Sequence, residues 1–311
     1  MKLCDMHCDT ATAIYYGHKK LASNDCAVSL EKAAVFEKYL QLAAFFTSPK
    51  LGDEEGWDAF LAARQYFLDE CAESEIPVLA SSGELAAWDR SDSRAAFILT
   101  VEDARILAGR LERVEELYRL GIRVMTLLWG GETIIGGSHN TDAGLTDFGR
   151  AAVREMLNVG IIPDVSHASF RSTDEILDLC EAAGKAPVAT HMNAHAVCSH
   201  SRNLTDDRFL RLVKLGGCAG VSLCPPHLAE NGAPTTSADP ARHLLHYRAL
   251  SPDAVGFGCD LDGTELPDDL PDLSALPVIA ERLRESGLKE TEIEEIYYGN
   301  VFRFLKDNLP E

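Results

Sequence analysis

Short runs rich in Val, Ile, Leu and Phe recur along the chain, each closed by turn residues, and they alternate with longer stretches whose apolar positions return at helical spacing. Eight runs stand out, at 3–9, 39–46, 95–102, 122–128, 161–166, 187–190, 218–223 and 255–259. Their apolar residues are nearly continuous, the pattern of parallel strands covered on both faces. Helical periodicity marks 58–74, 107–120, 146–159, 172–183, 206–215 and 272–286, and a terminal helix is expected over 290–309 with Gly299-Asn300 inside it. The third of these opens on Thr146-Asp147 and the fourth on Arg171-Ser172-Thr173-Asp174-Glu175, both N-cap patterns with acids in the first turn. Eight strands, most of them separated by a helix, predict a single α/β domain over residues 1–311, a (β/α)8 TIM-type barrel with a C-terminal helix. A doubly wound open sheet is the alternative.

Composition narrows the function more than the fold. Lys and Arg number 29 against 49 Asp and Glu, so the formal charge is 29 − 49 = −20, which disfavours nucleic acid and anionic lipid as partners. No stretch approaches the roughly 18 apolar residues that span a bilayer, and MKLCDMHCDT lacks the apolar core of a signal peptide, so no membrane partner and a cytoplasmic location are expected. The nine cysteines form no CxxC pair and are expected to be reduced thiols.

A barrel gathers its chemistry at the C-terminal ends of its strands. His7 and Asp9 close the first run, Glu102 the third, His167 the fifth, His191 the sixth and Asp260 the eighth: six possible metal ligands on five strands. On an extended strand, residues i and i+2 leave the same face, so His7 and Asp9 can meet one ion, although a pairing with loops and backbone is the commoner fate of such a dyad. Glu102 ends a buried strand where an unpaired carboxylate is expensive, so a cation must meet it, either an arginine or a metal. Two histidines ending consecutive strands favour shared ligation over two separate core roles. Imidazole and carboxylate suit Zn2+ or Mn2+. No lysine ends any run, so a carboxylate, most simply Glu102, must bridge any pair of ions.

These residues, in this order, resemble the membrane (renal) dipeptidase family, peptidase M19, of the amidohydrolase superfamily. The likeness runs through Asp5-Met6-His7-Cys8-Asp9, Gly144-Leu145-Thr146-Asp147-Phe148-Gly149, Asp164-Val165-Ser166-His167, the segment Ala196 to Asn203, the segment Val255 to Gly263, and Gly299-Asn300-Val301-Phe302-Arg303. The resemblance implies two divalent ions, expected to be zinc, bridged by Glu102, with His7 and Asp9 on one and His167 and His191 on the other. It implies that Asp260 contacts the first ion and handles the proton, and that Arg202 binds the substrate's carboxylate, a match a guanidinium fork makes well. Animal members carry a substrate-contacting histidine where this chain has Trp129, as the bacterial branch does; His139 is the nearby candidate to replace it, although a loop histidine is the plainer reading. The implied activity is hydrolysis of dipeptides by attack of a metal-bridged hydroxide, with tolerance of a D-residue on the C-terminal side, in a homodimer. Hydrolysis of another small amide, such as an N-acyl amino acid or a lactam, and a non-catalytic ligand-binding barrel are the alternatives. Ser166 beside His167 does not read as a nucleophile and base, because no G-x-S-x-G elbow is present. The acids Glu265, Asp268 and Asp269 read as a solvated loop.

Overall fold

The structure, a computed structural model, describes residues 1–311, the side chain of Asn231 excepted. Seven strands form one parallel sheet: β1 Lys2–Cys8, β2 Lys38–Phe46, β3 Ala95–Glu102, β4 Ile122–Thr126, β5 Ile162–Asp164, β6 Ala219–Val221 and β7 Val255–Phe257. Their order is β5-β4-β3-β2-β1-β7-β6, a cyclic sequence with no reversal. A doubly wound sheet requires a switch point where the order turns back, so that alternative is excluded.

The expected sixth strand, 187–190, forms no ladder. Val188 makes a single parallel bridge to Asp164 at the end of β5, and Ala189 makes one to Ala219 at the start of β6. Pro187 has no N–H to give. The Val188 and Ala189 amides nevertheless donate to Pro163 and Cys218, and their carbonyls accept from Val165 and Gly220, so this short segment is bonded to both edges of the curled sheet. Thr190 presses its carbonyl oxygen on two glycines; a Cβ at Gly258 would stand 1.6 Å from it, and one at Gly220 2.1 Å.

Alternation along the strands sends side chains to two apolar clusters. Leu40 and Leu42 of β2 join Cys4, Met6, Ala96, Ile98 and Val124, closed by Trp88 from the helix Ser82–Asp89 and by Val301 and Phe304 from the helix Asn300–Asn308. Tyr39, Ala43 and Phe45 face the other way, onto Phe60 and Phe67 of the helix Asp53–Glu73. The first cluster fills the early part of the strands. It leaves their C-terminal ends for polar side chains.

The helices depart from expectation mainly at their starts. Thr146 caps Asp147–Val159 as expected, accepting from the Gly149 amide at 3.0 Å. The fourth helix begins earlier, at Phe170, and its cap is Ser169 rather than the Arg171–Glu175 stretch. The expected helix over 272–286 divides into a 3-10 turn and a helix Pro277–Glu285, because Pro277 fits a first helical turn but not an interior. The terminal helix is continuous only by way of a π-turn at Glu295–Gly299, between Glu290–Glu294 and Asn300–Asn308. The sequence pattern missed Thr10–Gly17, Ser82–Asp89 and Ala238–Leu250.

Candidate metal centre and substrate cleft

The ends of four strands, β1, β3, β5 and β7, together with the segment 187–190, bring His7, Asp9, Glu102, His167, His191 and Asp260 to one largely buried place. His7 lies in β1, but Asp9 is past its end, at φ −96° and ψ 10°, as the N-cap of Thr10–Gly17. The register of β1 on β2 also slips between Asp5 and Cys8. The two side chains therefore meet through a bulge and a turn, not through the simple strand alternation expected. His7 Nε2 lies 3.4 Å from Asp9 Oδ2 and 3.8 Å from Asp260 Oδ1. Glu102, the last residue of β3, turns one oxygen to each side: Oε2 is 3.8 Å from His7 Nε2, while Oε1 is 2.9 Å from His167 Nε2 and 3.4 Å from His191 Nε2. No Lys or Arg pairs with Glu102 among the described residues, so the arginine salt bridge is not what meets this carboxylate.

The same atoms fall into three overlapping triads that could each hold an ion: His7, Asp9 and Glu102; His7, His191 and Asp260; and Glu102, His167 and His191. His167 and Asp260 both stand at positive φ, 65° and 63°, backbone strain of the kind that persists where the surroundings impose it at functional sites.

The remaining imidazole nitrogens are tied down. Trp129 O lies 3.0 Å from His167 Nδ1, and Thr190 Oγ1 lies 2.8 Å from His191 Nδ1. Thr190 is itself held by Asp164, a fully buried carboxylate that also accepts from Thr126 Oγ1 at 2.6 Å and from the amides of Ser166 and Thr190. Ser166 Oγ accepts from the His191 amide, which makes it a brace and not a nucleophile. Asp5 does the corresponding work on the other side, accepting from the Cys259 amide at 2.8 Å and the His7 amide at 3.3 Å. That bond is what Cys259 contributes beside Asp260: its main chain is pinned to β1, and its thiol is buried.

Electrostatics follow from burying so much charge. Burial pushes the Asp260 carboxyl up to about 8, with the neighbouring Asp9 and Glu102 carboxylates adding to it and His7 opposing it. Burial alone would lower His7, but Glu102, Asp9 and Asp260 outweigh it and raise the imidazole to about 10. Burial raises Glu102 and Asp9 as well, and holds His167 and His191 well below the usual range. The side chains by themselves thus retain protons that a divalent cation would displace. Buried His7 Nε2 and Asp9 Oδ1 have no hydrogen-bond partner, and His167 Nε2 faces His191 Nε2 at 2.9 Å. Unpartnered nitrogens and carboxylate oxygens aimed at common points fit divalent metal ions.

Above this cluster opens a cleft of about 340 Å3, within the size range of small-ligand sites. Arg202 is fully buried, near enough to Asp260 and Glu102 to feel their charge, with Nε and Nη1 unpartnered. His139 sits over the cluster with its ring 6.1 Å from that of His167, lowered to about 4 by burial and by Arg202 and His200. Trp129 lines the cleft and keeps 39% of its surface exposed. Among the described residues Glu265 and Asp268 join no ligand group, whereas Asp269 is not simply a solvated loop acid: it accepts from the Ser237 amide and hydroxyl.

Residues 1–309 match the sequence model of the membrane dipeptidase family, peptidase family M19. The chain belongs to the membrane dipeptidase family. An uncharacterized protein in the pqqA 5' region of Klebsiella pneumoniae is 30% identical over 230 residues, 70% of this chain and 84% of the relative. Dipeptidase 3 of Macaca fascicularis is 31% identical over 244 residues, 75% of this chain but 48% of its own length, so the chain spans about half of that relative. The fold matches a metallopeptidase from Rhodobacter sphaeroides, solved with a phosphinate mimic of L-Ala-D-Ala, at TM-score 0.89 and 23% identity over 99% of both chains. Membership of this family of metallo-dipeptidases makes the chain a hydrolase of that type. No helix among the described residues is long and apolar enough to cross a membrane, despite the family's name.

Sequence reasoning named the six possible ligands but missed the residues that aim them. Asp5 and Asp164 were visible as lone acids within apolar runs, a costly placement without a task. Thr190, Tyr16 and Phe46 gave no signal of their own.

Proposed function

We propose that this family member is a binuclear zinc dipeptidase, a single domain over residues 1–311 in which the segment 187–190 serves as the eighth stave of a closed (β/α)8 barrel. The observation that carries the reading is the split of Glu102: one carboxylate oxygen turns to His7, the other to His167 and His191. In this reading His7 and Asp9 would hold one ion and His167 and His191 the other, with Glu102 available to both. Zinc ions there would bring a water's pKa toward neutrality and polarise the peptide carbonyl. Asp260, 3.8 Å from His7, holds the water's proton and passes it to the leaving amine. Arg202 pairs its two free N–H groups with the C-terminal carboxylate, which orients the peptide; a longer peptide would bury a neutral amide against that guanidinium. Tolerance of a D-residue at the C-terminal side and a homodimer belong to the same reading. Nine buried free thiols suit a reducing compartment, which favours the cytoplasm.

The test is metal content per chain on protein purified without chelator, with hydrolysis of matched L,L and L,D dipeptides. Two ions with chelator-sensitive cleavage are expected. Two ions without cleavage would redirect the search to other small amides, and no ion after reconstitution would favour a binding protein. Glu102→Gln should lose at least one ion together with activity. Full occupancy in that variant would refute the bridge.

A further inference from the structure

We propose that the cleft selects dipeptides whose N-terminal residue carries a large aromatic or aliphatic side chain. This rests on the dipeptidase reading and names its substrate class. The two walls of the cleft differ in chemistry, and the strand order says which part of the peptide meets which wall.

On one side His227 lines the cleft from the short helix Pro225–Leu228 after β6, and Arg202 lies in the loop after the segment 187–190, close enough to Asp260 and Glu102 to feel their charge. The facing wall comes from the β1, β2 and β4 side of the sheet, with β3 between the last two: Tyr16 from the helix after β1, Phe46 as the last residue of β2, and Trp129 beyond the end of β4. A dipeptide with its carboxylate on Arg202 and its scissile bond over the metal ligands therefore extends its N-terminal residue toward Tyr16, Phe46 and Trp129.

That wall is apolar and held in place. The Phe46 and Trp129 rings pack with centroids 5.1 Å apart at 51°. Thr12 Oγ1 accepts from the Phe46 amide at 3.0 Å, tying the first helix to the end of β2, and the Trp129 main chain is fixed by its bond to His167. Tyr16 is nevertheless 55% exposed and Trp129 39%; of the large apolar side chains most open to solvent, these two share one cleft. An uncovered aromatic surface in a concave site is where a ligand's apolar group gains most. A cationic side chain would find little there. Thr12, Ala13, Tyr16, Phe46 and Trp129 bear no charge, and the nearby Asp262 carboxylate is engaged by Thr10 Oγ1 and the amides of Ala27 and Val28.

The experiment is steady-state kinetics of the zinc-loaded protein on an X-Ala series with X as Gly, Asp, Lys, Leu, Phe and Trp. Leu, Phe and Trp should exceed Gly, Asp and Lys in kcat/KM by about tenfold or more, chiefly through KM. Tyr16→Ser and Trp129→Ala should each pull the Phe-Ala to Gly-Ala ratio toward one. Tyr16 is exposed enough that its variant keeps the fold, so a misfolded Trp129 variant would not leave the question open. Cleavage with a flat profile, or with a charged X preferred, overturns this inference and leaves the dipeptidase reading standing. Failure of the zinc-loaded protein to cleave any member overturns both.

Discussion

Thr190 fixes which nitrogen of His191 is free. Its hydroxyl hydrogen goes to the Asp164 carboxylate, which can only accept, so its oxygen is left to receive Nδ1–H from the imidazole. Nε2 then carries the lone pair and faces Glu102 and His167. The Trp129 carbonyl imposes the same tautomer on His167. Partners of this kind typically change metal affinity by about 10- to 100-fold when removed. Thr190→Val, which keeps the shape and deletes the hydroxyl, should weaken zinc binding within that range, measured by competition with a chromogenic chelator, and Thr190→Ser should restore most of it. Equal affinity in the valine variant would mean that the hydroxyl plays no part in aiming His191. The histidines could be read from the sequence because each stands alone after an apolar run. Thr190 could not, since a threonine before a histidine has meaning only once Asp164 is seen beneath it.

Among the elements, the helix Ala238–Leu250 shows what apolar periodicity overlooks. It buries Pro240, Ala241, His243, Leu244 and Tyr247, so two of its five inward positions carry polar atoms and its apolar stripe is diluted. Those two side chains tie down the loop that follows His191 and the end of the helix Pro225–Leu228. His243 Nδ1 accepts from the Ala194 amide, and its Nε2 lies 3.1 Å from Leu228 O, while Tyr247 Oη donates to Asn193 O at 2.7 Å. Burial lowers His243 to about 4, against which its bond to Leu228 O is a smaller opposing effect. Because the folded imidazole takes up its proton only near pH 4 and the unfolded one near 6.5, the unfolded chain binds more protons between these values. The His243 contribution is therefore fully present above pH 6.5 and declines as pH falls toward 4, by about 3 kcal/mol in all. Denaturant titrations at pH 7 and pH 5 should show the wild type losing more stability on acidification than His243→Gln. Parallel losses would show that this imidazole is not held neutral. Strand positions were easier to read than the helix, with β3 found at Ala95–Glu102 as expected, because a strand buried on both faces is apolar throughout. The segment 187–190 has that composition too, but Pro187 and the tight glycine contacts of Thr190 reduce it to one bridge on each side.

For the molecule as a whole, the proposed ions would be structural as well as chemical. Asp9, Glu102 and Asp260 converge from the ends of β1, β3 and β7, the first two buried and the third nearly so, in a chain whose formal charge is already −20. Without a cation between them, folding must bring like charges together or protonate them, and both oppose closure of the sheet around this point. An ion that binds the folded chain alone stabilises it by about 2.7 kcal/mol when present at a hundredfold over its dissociation constant. In a chain of this length 1 kcal/mol moves Tm by about 2 °C, so saturating one site should raise it by about 5 °C and saturating two by about 10 °C. Calorimetry of chelator-treated protein titrated with zinc should trace two rises in Tm, each continuing to grow with the logarithm of free zinc. Glu102→Gln should reduce the total rise, because it withdraws a ligand shared by two of the three triads. A Tm indifferent to zinc would separate the six convergent side chains from any metal, and would leave their buried charge to be balanced by protons alone.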